Sequence, residues 1–182
     1  MKILRSASAL LALSMLGLWL AGCAGWNPDQ PQEERTEAQQ AIAKFKQRDP
    51  GLKTFFDRAY GYAVFPTVGK GAMGVGGAYG KGLVYRGGAE IGRSTLTQVT
   101  VGFQLGGQAY SEIIFFENKG AFENFKNGQL KFAAQLSAVA VTAGAAANAA
   151  YNKGVAVFTM EKGGLMYEAS VGGQSFSFEP SR

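Results

Sequence analysis

The chain has no histidine and a single cysteine, Cys23. Those absences exclude a Cys/His zinc site, Ser-His-Asp and Cys-His pairs, an internal disulfide and a histidine pH switch. Any catalysis would rest on carboxylates, Lys, Tyr or Ser alone. Charge is sparse as well: charged residues make up 17% of the chain and the formal net charge is +5. The basic residues are spread along the sequence rather than massed in one run, so nothing points to nucleic acid. No metal and no cofactor is expected. Proline is scarce (5 residues), but glycine is not. The 26 glycines in 182 residues are about twice the average usage of ~7%. They fall among Val, Phe and Tyr, which suggests bends, bulges and close backbone contacts inside strands rather than a flexible linker.

The first 23 residues have a layout of their own. Lys2 and Arg5 precede an apolar run from Ala7 to Leu20, which ends in Leu20-Ala21-Gly22-Cys23. A charged start, an apolar middle and a small-residue end describe a secretory signal peptide. The run is short for a membrane span of about 20 residues. The ending resembles a bacterial lipobox, which implies that Cys23 is the lipid anchor, acylated after cleavage before it. Three acyl chains would hold the protein to a membrane permanently, where one chain is marginal. Ala24 follows the cysteine where an Asp would signal inner-membrane retention. The expected address is therefore the outer membrane, lipid-anchored and facing the periplasm. Without Lys2 and Arg5 the balance is 16 basic against 13 acidic residues, or +3. Residues 1–22 are expected to be the leader, 23–35 the lipidated cysteine and a tether, and 36–182 one folded domain.

The expected fold class is α+β, with N-terminal amphipathic helices packed on a Gly-rich, curved antiparallel sheet or partial barrel. A helix should begin at Thr36, its stripe made by Ala38, Ala41, Ile42 and Phe45. Asp49-Pro50 should interrupt it, and a second short helix should follow over 51–59. From Gly61 the period becomes two. Strands are expected at 62–65, stopped by Pro66, and at 71–79 and 82–86 around a turn at Gly80-Lys81. A further pair, 95–105 and 109–117, should form a hairpin through Gly106-Gly107. The apolar run Ile113–Phe116 should lie centrally. Asn118 should cap a helix over 119–126. An alanine-rich stretch is read as strand 131–141 and loop 142–152, and strands at 154–160, 165–171 and 175–178 should close the chain.

Gly69-Lys70-Gly71-Ala72-Met73-Gly74 matches G-x-G-x-x-G, and Glu90 has roughly the spacing of a ribose-binding acid. The further glycines Gly76, Gly77 and Gly80 stand where the required helix should open, so a nucleotide site is not expected. Glu112, Glu117, Glu123 and Glu168 could serve a hydrolase only if two of them converged in one cleft. No enzymatic activity is expected.

The same segment resembles a known family more closely. Tyr60-Gly61-Tyr62-Ala63-Val64-Phe65-Pro66-Thr67-Val68-Gly69-Lys70-Gly71 and Gly76-Gly77-Ala78-Tyr79-Gly80-Lys81-Gly82 resemble the opening signature of the SYLF domain, a family related to yeast actin-binding proteins. Gln104–Glu112 is similar to its second block, and Lys162–Leu165 with Glu168–Gly173 to its closing block. The resemblance implies lipid binding. Eukaryotic members bind phosphoinositides through a basic amphipathic helix, and some bind actin. For a bacterial envelope protein, the transferable part is affinity for anionic phospholipid or phosphoinositide-like headgroups. The matching cations are Lys44, Lys46, Arg48, Lys53 and Arg58, with Lys70, Lys81, Arg86 and Arg93 on or near the glycine-rich strands. Membrane phospholipid is thus the expected partner. An envelope protein partner is the alternative, which would make the domain a structural or interaction module.

Overall fold

The structure, a computed structural model, describes residues 30–73, 75–101, 106–130, 138–163 and 173–181. Cys23, the leader, Gln104–Leu105, the strand expected at 165–171 and residues 131–137 of the strand expected at 131–141 lie outside them. The chain divides into two compact units, Met1–Gln30 and Pro31–Arg182, and the second contains the fold. Its described residues form an α+β domain: helices α1 (Gln30–Arg48), α2 (Lys53–Arg58) and α3 (Lys119–Lys126), and seven strands. The strands are β1 (Gly61–Met73), β2 (Val75–Arg86), β3 (Ala89–Val101), β4 (Gly106–Phe116), β5 (Val139–Ala140), β6 (Val155–Gly163) and β7 (Gln174–Pro180).

They make one open sheet in the order β5-β6-β4-β1-β2-β3-β7. The central β4-β1-β2-β3 order is a Greek key, in which the fourth strand returns to lie beside the first. The expected hairpin between 95–105 and 109–117 is therefore wrong. Gly106 and Gly107 do not turn; they pair with Ala72 and Gly71 of β1. The sheet is also not wholly antiparallel. Val139 and Ala140 run parallel to Phe158 and Thr159, because residues 141–154 cross over between them, about the dozen residues a parallel connection needs.

Two further expectations fail for identifiable reasons. Pro66 does not stop β1. The register of β1 shifts against both neighbours around it, and a bulge is where a strand tolerates a residue without an N–H. The Ser111 hydroxyl donates to the Pro66 carbonyl at 2.7 Å. Gly80-Lys81 is not a turn either, since β2 runs straight through it. Gly80 and Gly82 instead face close neighbours. A Cβ on Gly82 would lie 2.4 Å from the Val64 carbonyl oxygen and 2.6 Å from the Phe65 ring. The dense glycines thus serve strand packing at Gly82 far more than at Gly77, whose nearest contact would be the Gln98 carbonyl oxygen at 3.3 Å.

Each sheet face carries its own core. On one face Val64, Leu83, Ile113, Phe115 and Phe158 meet Ala38, Ala41 and Phe45 of α1 and Phe55 of α2. On the other, Phe65, Leu96, Ile114, Phe116 and Phe176 meet Phe122 and Phe125 of α3. The run Ile113–Phe116 feeds both faces and is fully buried, as its position in the middle of the sheet requires. Asn118 caps α3, its Oδ1 accepting from the Ala121 N–H at 3.0 Å.

Helix α1 begins six residues before Thr36, so residues 30–35 are not tether. Their Gln, Glu and Arg are good helix formers, and Pro31 sits in the first turn, where a missing N–H costs nothing. Thr36 is no cap: its hydroxyl bonds back to the Gln32 carbonyl at 2.9 Å. Ion pairs Arg93–Glu34 (2.8 Å) and Arg35–Glu90 (2.7 Å) tie this first part of α1 to β3.

Candidate functional site

The buried stripe of α1 decides what its basic residues can do. Ala38 and Phe45 have no exposed surface and Ala41 has 5%. Most of the apolar stripe therefore belongs to the core; Ile42 is only partly buried, Ala43 is exposed, and the rest of the exposed surface of α1 is polar or charged. Lys44, Lys46 and Arg48 are exposed, as are Lys53 and Arg58 of α2. Lys44 and Arg48, one turn apart, lie on one flank of the stripe. Lys46 lies on the other, its ammonium 4.4 Å from the centre of the Phe56 ring. Lys53, one turn before Phe56, pairs with Asp57 at 2.5 Å. No ion pair engages Lys44, Arg48 or Arg58 among the described residues.

The corner between α1 and α2 is rigid. Asp49 leaves the helical region before Pro50, as that proline demands, with φ of −139°. Its side chain is buried and doubly used. Oδ1 accepts from the Gly51 N–H (3.0 Å) and Oδ2 from the Ala146 N–H (2.7 Å). One carboxylate thereby caps the 3-10 turn Pro50–Leu52 and pins the alanine segment Ala145–Asn148 beside it. Between them lies a groove of about 600 Å³, lined by Gly51, Thr54, Phe55, Arg58, Ala147 and Tyr151 among others. The expected loop 142–152 thus forms one wall of it, and its alanines are small enough to leave the space open.

The strand cations do not join this edge. Lys70 pairs with Ala78 and shares that residue's face of the sheet, while Lys81 pairs with Thr67 on the opposite face. Arg86 ends β2 opposite Gly61, far from the glycine-rich end, and Arg93 is held by Glu34. Lys70, Lys81 and Arg86 therefore make no common site. What sequence reasoning missed is the groove, because the alanine segment that walls it carries no chemical signal in its composition. It also missed a buried polar cluster. Glu112 is fully buried and accepts from Gln174 Nε2 at 3.0 Å, and the same nitrogen lies 3.3 Å from the Tyr110 hydroxyl. Burial pushes the Glu112 carboxyl up to about 8, against a small opposing effect of the Gln174 bond. Glu117 is exposed at the end of β4, Glu123 pairs with Lys126 on α3, and Glu168 lies outside the described residues.

Residues 97–181 match the family model of Ysc84, described as Las17-binding protein actin regulator. Residues 97–181, just under half of the chain, are thus similar to the family that the sequence blocks resemble. The matched range opens within β3 and takes in β4 to β7 with α3, while the opening block Tyr60–Gly82 precedes it. The chain is also 28% identical over 157 residues to Beta cell expansion factor A of Aeromonas veronii, an alignment covering 82% of this chain and 59% of that protein. The chain thus spans about three fifths of the length of this curated relative.

Proposed function

We propose that this SYLF-like domain is a non-enzymatic membrane-surface module that binds anionic phospholipid, or a phosphoinositide-like headgroup, through the edge formed by α1 and α2. The observation that carries the reading is the burial of the α1 stripe beside exposed Lys44, Lys46, Arg48, Lys53 and Arg58. With most of its apolar side committed to the core, the edge attracts a membrane chiefly by charge, at about 1 kcal/mol per Lys or Arg near an anionic surface. The family resemblance supports the lipid class. In this reading an acylated Cys23 holds the protein on the outer membrane, facing the periplasm, so the surface it binds is always near. Mass spectrometry of protein purified from membranes should find a chain that begins at Cys23 and carries acyl mass. An unmodified chain beginning there would refute the anchor.

Co-sedimentation with phosphatidylglycerol or cardiolipin vesicles tests the edge. The tested chain is residues 23–182 with Cys23→Ser, since unit Pro31–Arg182 contains both cores. Changing Lys44, Lys46, Arg48 and Lys53 together to Gln should remove most pelleting. Pelleting equal to the parent chain would eliminate this edge as the site.

A second reading, a protein partner in the envelope, has one observation in its favour. Tyr79 and Val99, 53% and 69% exposed, are the large exposed apolar side chains among the described residues. They lie on adjacent strands of one sheet face, near Gly69 and Gly71, above which the space is open. Absence of pelleting on every vesicle by the parent chain would favour this reading.

A further inference from the structure

We propose that the groove between α2 and the alanine segment is a binding site for one long-chain fatty-acid carboxylate, with the chain against the alanine wall and the carboxylate at Arg58. The inference rests on the reading that the domain takes lipid, and it adds a second mode, capture of a single molecule instead of attachment to a surface.

Three features of the groove agree on this occupant. The first is its size and lining. At about 600 Å³ it lies within the range of about 300–1,000 Å³ typical of small-molecule sites. Phe55, Ala146, Ala147 and Ala149 give it an apolar wall, and Gly51 and Gly144 add no side chain. A methyl-lined wall suits a flexible alkyl chain and offers nothing to hold a sugar or a base.

The second feature is charge. Arg58 is exposed at the groove without an ion-pair partner among the described residues, and Thr54, one turn earlier on α2, puts a hydroxyl on the same side. A guanidinium accommodates a carboxylate in a bidentate fork, which a lysine could not do. Asp49 also lines the groove, but its two oxygens are each taken by a backbone N–H. Asp49 keeps its charge, so the ligand's carboxylate belongs at the exposed Arg58 guanidinium and its alkyl chain beside the buried Asp49.

The third feature is a polar atom without a partner. The Tyr151 hydroxyl is buried and makes no hydrogen bond, although buried polar atoms are nearly always satisfied. Its ring is fixed against Phe55, with centroids 5.4 Å apart. Burial and the Glu117 carboxylate both raise this phenol above its ordinary value, so it stays protonated and can donate. A ligand carboxylate that reached this hydroxyl would supply the missing acceptor.

The test uses cis-parinaric acid, a fatty acid that fluoresces when bound, at concentrations too low for micelles and with no vesicle present. The same 23–182 Cys23→Ser chain is titrated, so the result is independent of the vesicle experiment. Saturable binding at one molecule per chain is expected. Ala147→Trp, at an exposed position on the wall, should weaken it at least tenfold by filling the groove. Arg58→Glu should weaken it at least tenfold by reversing the charge. Both substitutions are at exposed positions, and a melting curve verifies that each variant is folded. No binding by the parent chain, or affinity unchanged by either substitution, overturns the proposal. Loss of vesicle pelleting in the quadruple Gln variant bears on the surface reading alone.

Discussion

Glu112 places a carboxyl where no water reaches it, in the middle strand region of a glycine-rich sheet. Its folded-state value of about 8 lies above the ordinary 4.5, so the native protein holds a proton that the unfolded chain releases. Stability from this group is complete below about pH 4.5, declines as pH rises, and is lost once pH passes about 8. Glu112→Gln stays neutral throughout. It should flatten the fall in melting temperature between pH 5 and 8 and be more stable than wild type at pH 8, by on the order of a few kcal/mol. Thermal unfolding across that range checks it; parallel curves for the two proteins would show that Glu112 ionises without penalty. The sequence offered Glu112 only as one of four carboxylates and did not mark it as buried, because a Glu between Ser111 and Ile113 reads as an ordinary strand position. Its hydrogen-bond partner is Gln174 of β7, far along the chain. Gly82 was equally hidden. Composition announced that glycines were needed, but not that the close contact would fall at the Val64 carbonyl instead of at Gly77.

At the scale of elements, local chemistry was readable and pairing was not. The α1 stripe, the break at Asp49-Pro50 and the Asn118 cap are set by neighbours within four residues, and all three stand in the structure. The hairpin expected at Gly106-Gly107 failed because a glycine pair signals a turn only when the strands beside it pair with each other. Here β4 pairs with β1, and the glycines meet Ala72 and Gly71 across the ladder. The site shared this limit. The cations of α1 and α2 could be grouped from sequence, whereas the alanine wall of the groove is brought there by long-range contacts: the Ala146 N–H to Asp49, the Val141 N–H to the Thr159 carbonyl, and the Tyr151 ring against Phe55. Asp49→Ala removes the bond from Ala146 and the cap on Gly51 together. It should cost roughly 2–4 kcal/mol in urea unfolding and expose 142–150 to limited proteolysis. A loss below about 0.5 kcal/mol, within the usual range for an unremarkable surface change, would mean that the segment is held by other contacts.

The unit Pro31–Arg182 is a two-sided sheet whose described helices are committed to its cores. Among the described residues no helix is long and apolar enough to cross a membrane, and the helix suited by composition to lie in one has most of its apolar side occupied. In the proposed reading membrane attraction is electrostatic, with depth of insertion left to the proposed acyl anchor. Exposed attraction of this kind weakens with salt, because the Debye length falls from about 10 Å at 0.1 M to ~3 Å at 1 M. Insertion of apolar surface would not weaken. The most direct measurement is therefore binding of the unacylated 23–182 chain to vesicles of rising phosphatidylglycerol content, at low and high salt. The account predicts binding that climbs with the anionic fraction and largely disappears at 1 M salt. Binding to neutral phosphatidylcholine vesicles that is equally strong at both salt concentrations would contradict it.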